Sequence, residues 1–265
     1  MQPILLTPRD LAVSSSLLML DGVLSLALGL ALHRQLLVAA FRMVVQLLII
    51  GFVLRAAFAL ASPALTLALV LAMVAIAARE VAVRPEQRLV RMGNYRIAGI
   101  AVAFATGLTA ILALTTAIRP HPWYDPRYAI PLAGIITGNV LNAASLALDS
   151  LLGGVVRERG AIEAQLALGA TIRQALARLV RQSIRRALLP MINTMSAAGV
   201  VTLPGIMTGQ ILAGLDPVEA VKYQILLVFL LAGGSGIGAA AAAFLAARRL
   251  TDNRQRLRLD RLARR

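Results

Sequence analysis

The chain has 265 residues, 59% of them hydrophobic, no cysteine, and a formal net charge of +15. So apolar a composition over this length excludes an ordinary soluble domain, and the missing thiols exclude disulfides, thiolate metal sites and cysteine catalysis. The positive charge is almost all arginine, with Lys222 the one lysine. Because the arginines cluster between apolar runs and at the C-terminus, they read as the cytoplasmic charge of a membrane protein and not as a nucleic-acid surface.

Apolar runs of membrane-spanning length fall at 11–32, 36–58, 64–83, 97–118, 128–151, 188–213 and 219–247. The first contains Asp21 and is long for a signal-peptide core, which makes it a retained helix. The loop around 79–96 carries Arg79, Arg84, Arg88, Arg91 and Arg96. The connection after the fifth run carries Arg157, Arg159, Arg173, Arg178, Arg181, Arg185 and Arg186. The tail carries Arg248, Arg249, Arg254, Arg256, Arg258, Arg261, Arg264 and Arg265. Seven spans put all three segments on one side, which the positive-inside rule makes the cytoplasm; the N-terminus then lies outside and the C-terminus inside. The other side receives RPHPWYDPR at 119–127, where Trp123, Tyr124 and Tyr128 suit an interfacial aromatic belt. The expected fold is an all-α polytopic membrane bundle of about seven transmembrane helices. Residues 1–250 form its single transmembrane domain and 251–265 a basic cytoplasmic tail.

Polar residues inside the spans are costly and face the bundle interior or a wet cavity. Asp21 in the first span, with Arg42 and Gln46 one helical turn apart in the second, forms a possible buried cluster; the alternative is an Arg42 that snorkels to the interface. In the fifth span Asn139, Asn142 and Ser145 or Asp149 recur at helical steps, a stripe that suits interhelical hydrogen bonding and substrate lining equally. Gly134 and Gly138, Gly205 and Gly209, and Gly234 and Gly238 each form GxxxG, read as close helix packing. The segment LPGIMTGQILAGLDPVEAVKYQI at 203–225 sets Gln210, two prolines and three glycines among lipid-compatible residues. Loosened backbone of this kind is tolerable only against protein or a wet cavity. His33 and His121 lack partner histidines, and Met191, Met195 and Met207 read as packing, so no metal site is assigned.

Between the fifth and sixth spans, residues 157–187 are too polar to cross a membrane and too patterned to be a loose loop. AIEAQLAL at 161–168 predicts a short helix, Gly169 stops it, and Thr171 with Gln174 is the capping-box signature of the next one. Ile172, Leu176, Leu179, Val180 and Ile184 then share one face. Two short helices meeting at a Gly-Ala-Thr corner suit a docking element; an amphipathic helix resting on anionic lipid would not need the break. No GxxxxGK[ST] phosphate loop is present, so ATP hydrolysis, where involved, belongs to another polypeptide.

Glu163-Ala164 with Gly169 six positions after the glutamate resembles the first half of the EAA loop of ABC-transporter permeases, although the next Leu-Pro, Leu189-Pro190, lies too far on for the second half. Together with FRMVVQL at 41–47, PLAGIITGN at 131–139, LALGAT at 166–171 and the 203–225 segment, the chain resembles the FetB-type iron-export ABC permeases, whose plant relatives are linked to aluminium tolerance. The likeness covers roughly residues 34–250. It implies a homodimeric permease subunit in the bacterial cytoplasmic (inner) membrane. ATP and magnesium would be held by a separate nucleotide-binding ATPase subunit. Glu163, Ala164, Gly169, Ala170 and Thr171 would serve coupling, and Arg42, Gln46, Asn139, Asn142, Asp149 and Gln210 a substrate path. Against this stand a self-contained carrier or channel coupled through Asp21 or Asp149, and a non-transporting membrane scaffold.

Overall fold

A computed structural model describes residues 7–90, 92–252 and 256–264; Arg91, Arg254 and Arg265 of the arginine clusters lie outside them. The helices are α1 (Pro8–Ala27), α2 (His33–Leu60), α3 (Pro63–Val83), α4 (Gly93–Leu112), α5 (Pro126–Arg157), α6 (Arg159–Ala167), α7 (Ile172–Ala197), α8 (Gly205–Leu212) and α9 (Pro217–Arg249). The end of α4 widens into a π-helical stretch, Ala113–Ile118, and two short strands, β1 (Gln87–Leu89) and β2 (Leu262–Arg264), complete the order. The helix starts follow from local chemistry. Asp125 caps α5 by accepting from the Arg127 N–H, and Asp216 caps α9 by accepting from the N–H groups of Val218 and Glu219. In both, a proline occupies the first helical position, where no N–H is needed.

The chain divides into two compact units, residues 1–61 with 212–214, and 62–211 with 215–265. In the first, α1 and α2 form a hairpin. Its turn uses positive φ at Gly29 and Ala31, and the buried Ser25 Oγ accepts from the Leu32 N–H at 2.9 Å. Leu17, Phe41 and Phe52 are among its many exposed apolar side chains, a surface that a bilayer accepts and water does not.

In the second unit α5 is the central helix and packs against α3, α4, α7 and α9. Ile136, Val140, Leu148, Leu151, Leu152 and Val155 of α5 are fully buried, opposite small residues of α4 (Ala98, Ala101, Ala105) and α9 (Ala239, Ala242, Ala243, Ala246). Close approach is sharpest at the Gly234 and Gly238 pair of α9. A Cβ at Gly238 would lie 2.8 Å from Val140 Cγ1, and one at Gly234 would lie 3.1 Å from Thr109 Oγ1. That pair is helix packing, as its sequence spacing suggests.

Among the described residues six helices, α1 to α5 and α9, are long and apolar enough to cross a membrane. The remaining expected span, 188–213, is not one helix. α7 runs unbroken from Ile172 through Pro190 to Ala197. The chain then turns, with Gly199 at φ +82°, and the short α8 follows. The second short cytoplasmic helix expected after Thr171 is therefore the first half of α7, continuous with the next apolar segment. A change from polar to apolar surroundings alters the side chains and not the backbone, so the helix has no reason to stop there.

The tail beyond α9 also folds back. β2 pairs antiparallel with β1, Leu89 opposite Leu262, and the Val90 N–H donates to the Arg261 carbonyl at 2.8 Å. Arg261 Nη1 donates to the carbonyls of Arg249 and Thr251 at the end of α9. Arg258 grips Asp260 with two hydrogen bonds, which holds the Asp260 carboxyl at about 2, well below the usual carboxylate value. The neighbouring loop is pinned by Asn94, whose buried amide accepts from the Leu89 N–H and donates to the Ala82 carbonyl.

Candidate coupling corner and polar pocket

The corner between α6 and α7 is fixed by backbone hydrogen bonds from both sides. The Gly169 N–H donates to the Leu166 carbonyl and the Ala170 N–H to the Gln165 carbonyl, the Schellman pattern that closes a helix. Gly169 stands at φ +88°, and a Cβ there would meet no atom within 4 Å. Conformation, not space, is thus what calls for glycine. Thr171 then opens α7: its N–H donates to Gln174 Oε1 at 2.8 Å while its Oγ1 accepts from the Gln174 N–H at 3.3 Å. Ile172, Leu176, Leu179 and Val180 are buried and Ile184 half-buried, as the face periodicity predicts.

What the corner presents outward is specific. Leu168, at the end of α6, is 88% exposed. Ala164 is exposed, and Ile162 is the buried residue of α6. Glu163 is exposed and paired to Arg159 at 2.8 Å, and Glu158, at the junction of α5 and α6, pairs with Arg178 of α7. Leu168 escaped notice in the sequence because an apolar residue at the end of an apolar stretch looks like core. Only the Schellman turn swings it outward.

The polar stripe of α5 is split by the structure. Asn139 donates to the Ile135 carbonyl of its own helix at 3.0 Å. Asn142 Oδ1 accepts from Arg84 Nη1 at 3.0 Å, and Asp149 Oδ1 accepts from the Glu86 N–H at 3.1 Å. Arg84, Glu86, Asn142, Ser145 and Asp149 line one open pocket of about 500 Å³, with Pro190 of α7 on its wall. Ser145 is 5% exposed and its Oγ has no hydrogen-bond partner among the described residues. The pocket thus offers amide, hydroxyl and carboxylate oxygens, the donor set that hard cations prefer, beside one guanidinium. Among the described residues no group of three His, Cys, Asp or Glu side chains comes together to hold a metal ion.

The other expected site residues do not join it as a single cluster. Asp21, Arg42 and Gln46 are exposed, and Asp21 bonds to neither of the other two. Among the described residues Asp21 thus does not join Arg42 and Gln46 in a bonded cluster, since helical facing within α2 does not set how far Asp21 of α1 stands from it. Gln210 in α8 is half-buried, with an Oε1 that has no partner among the described residues. Of the remaining GxxxG glycines, a Cβ at Gly134 would lie 2.8 Å from Met73 Cε, whereas one at Gly138, Gly205 or Gly209 would meet no neighbouring element within 4 Å among the described residues.

Comparison with known proteins agrees with this architecture. The family described as "Uncharacterised protein family (UPF0014)" matches residues 8–251. The chain is 40% identical over 206 residues to UPF0014 membrane protein slr1647 of Synechocystis, covering 77% of this chain and 78% of that one. It is 35% identical over 254 residues to the "Probable iron export permease protein FetB" of Escherichia coli, covering 95% of each. It is 38% identical to UPF0014 membrane protein STAR2 of rice over 84% of this chain and 76% of that one. No solved structure matches. A helical membrane chain matched along nearly its whole length by this family model and by these relatives belongs to the UPF0014 membrane protein family.

Proposed function

We propose that the chain is the permease subunit of an ABC transporter, working as a homodimer with two copies of a separate ATPase that holds ATP and magnesium. The observation that carries this reading is the corner at 159–171: rigidly capped on both sides, exposed, and tipped by Leu168. A soluble partner with a groove would find there a fixed knob with an apolar end, a suitable lever point for ATP-driven closure. The likeness to FetB over 95% of both chains supports the same reading and suggests export of iron or a related metal species.

The geometry suggests how force would travel. α7 is a single helix from the corner to Ala197, about 40 Å at 1.5 Å per residue. A displacement at Thr171 would therefore reach Pro190, on the wall of the polar pocket, without a hinge. Closure of the ATPase pair would tilt α7 against α5 and change access to Asn142, Ser145 and Asp149. Gly205 and Gly209 are exposed, and a Cβ at either would meet no neighbouring element among the described residues, so both are then available to a second copy.

The test is recovery of the ATPase with the permease from membranes. Gly169→Val strains the left-handed corner, and Glu163→Arg replaces the Arg159 pairing with repulsion. Each is expected to cut recovery about tenfold, the size of a hot-spot contact, at unchanged permease level. Full ATPase recovery with both variants would remove the coupling assignment.

A further inference from the structure

The arginine-rich ends of α7 and α9 enclose a groove of about 740 Å³ that the coupling reading does not use. Its floor is apolar: Leu176, Val180 and Ile184 from α7, and Phe244 from α9. Phe244 is 56% exposed although it is among the largest apolar side chains in this part of the molecule. Its rim is cationic: Arg173 and Arg181 on α7 and Arg248 on α9.

Among the described residues the charge of this rim is not neutralised. Arg173 and Arg248 make no ion pair among the described residues, and Arg181 spends its Nε on the Ala177 carbonyl. Asp252, the carboxylate in the lining, is already held by Arg256 at 2.9 Å and by Arg258 at 3.7 Å. The groove therefore presents net positive charge over a hydrophobic base.

Depth distinguishes the occupant. Phe244 lies roughly 40 Å along α9 from its start at Pro217, at 1.5 Å per residue. The hydrocarbon layer is about 30 Å thick. With the start of α9 at one interface, Phe244 falls at the headgroup layer of the other. α7 agrees, because Leu179 packs on Gly154 in the last turn of α5. An apolar floor at headgroup depth beneath a ring of arginines is matched by one class of molecule, with a phosphate at one end and an acyl chain at the other.

We propose that this groove binds an anionic phospholipid of the cytoplasmic leaflet. The headgroup phosphate sits among Arg173, Arg181 and Arg248, and the upper acyl chain lies on the Leu176–Ile184–Phe244 floor. The proposal is independent of the transport reading, since binding needs neither ATPase nor substrate.

The test uses the full-length chain, purified in mild detergent and offered phosphatidylglycerol or phosphatidylcholine, with bound lipid counted by native mass spectrometry. The wild type is expected to retain one phosphatidylglycerol per chain in at least about tenfold preference. The triple variant Arg173→Gln, Arg181→Gln, Arg248→Gln is expected to lose that preference, and Arg119→Gln with Arg127→Gln, on the opposite loop, to keep it. Ile184→Trp keeps the arginines and fills the floor, and is expected to lose the lipid too. Equal retention of both lipids by the wild type overturns the proposal, whatever the variants do. So does inorganic phosphate that competes phosphatidylglycerol off the wild type at equal concentration, which would make the groove a simple anion pocket. Unchanged lipid retention in the triple variant with lost ATPase recovery also overturns it and gives the groove to the protein partner.

Discussion

Gly238 and Gly209 have the same sequence context, a glycine four residues after another in an apolar helix, and opposite surroundings. At Gly238 the space of a methyl group is already taken by Val140 Cγ1 at 2.8 Å and Ala105 Cβ at 3.5 Å. Val140 is fully buried on the central helix, so it cannot give way cheaply. A Cβ at Gly209 would meet no atom outside its own helix backbone within 4 Å among the described residues. Gly238→Leu is therefore expected to destabilise the bundle by about 1–3 kcal/mol or more through overpacking, visible as a lower midpoint in thermal unfolding of the purified chain. Gly209→Leu is expected to leave that midpoint unchanged and to reduce the dimeric fraction in size-exclusion chromatography. A Gly209→Leu protein that stays dimeric and active would mean that lipid, not a second copy, covers α8. Asn139 and Asn142 repeat the lesson, since one is absorbed by its own helix and the other reaches Arg84 on the next element.

The C-terminal tail is an element that charge alone misreads. A run of arginines after the last span suggests a solvated tail, yet its backbone pairs with β1 and its Arg261 ties back to α9. Three-residue strands are too short for period-two alternation to register, and their pairing joins residues 87–89 to 262–264, far apart in the chain. The joint fastens the loop between α3 and α4 to the end of α9, beside the pocket residues Arg84 and Glu86. Truncation after Thr251 is expected to leave membrane insertion intact and to raise hydrogen exchange at Val90, whose N–H donates to Arg261, by about tenfold or more, the loss of a bond worth about 1 kcal/mol and its cooperating neighbours. Unchanged exchange there would show that Asn94 alone holds the loop. Much of the rest was legible in the sequence. The helical spans, the capping box at Thr171, the stop at Gly169 and the buried face of α7 all follow from local periodicity and cap chemistry. The break of the sixth span at 198–204 was not, because hydropathy sums over residues and does not register the left-handed turn at Gly199. The pocket was half legible: the stripe on α5 is periodic, but Arg84 and Glu86 enter from a loop that no periodicity announces.

At the scale of the whole molecule the arginine clusters and the helix lengths constrain orientation together. α5 has 32 residues, about 48 Å at 1.5 Å per residue, against about 30 Å of hydrocarbon. Both of its ends are therefore wet, and the loop containing Trp123 and the corner after Arg157 lie on opposite sides of the bilayer. The corner side gathers Arg157, Arg159 and the arginines of α7, whereas Asp125 and Asp216 head the helices that start on the other side. By the positive-inside rule Leu168 is expected on the cytoplasmic side, together with the tail that pairs with β1. The chain has no cysteine, so each introduced thiol is the only one. His121→Cys and Leu215→Cys are expected to react with a membrane-impermeant maleimide in intact cells. Leu168→Cys and Ala263→Cys are expected to react only after the membrane is opened. These four positions avoid the capping residues Asp216, Thr171 and Gln174, so a failure to label cannot be blamed on a lost cap. Labelling of Leu168→Cys in intact cells would put the corner on the side without ATP, and with it both the coupling assignment and the cytoplasmic-leaflet lipid site would fall.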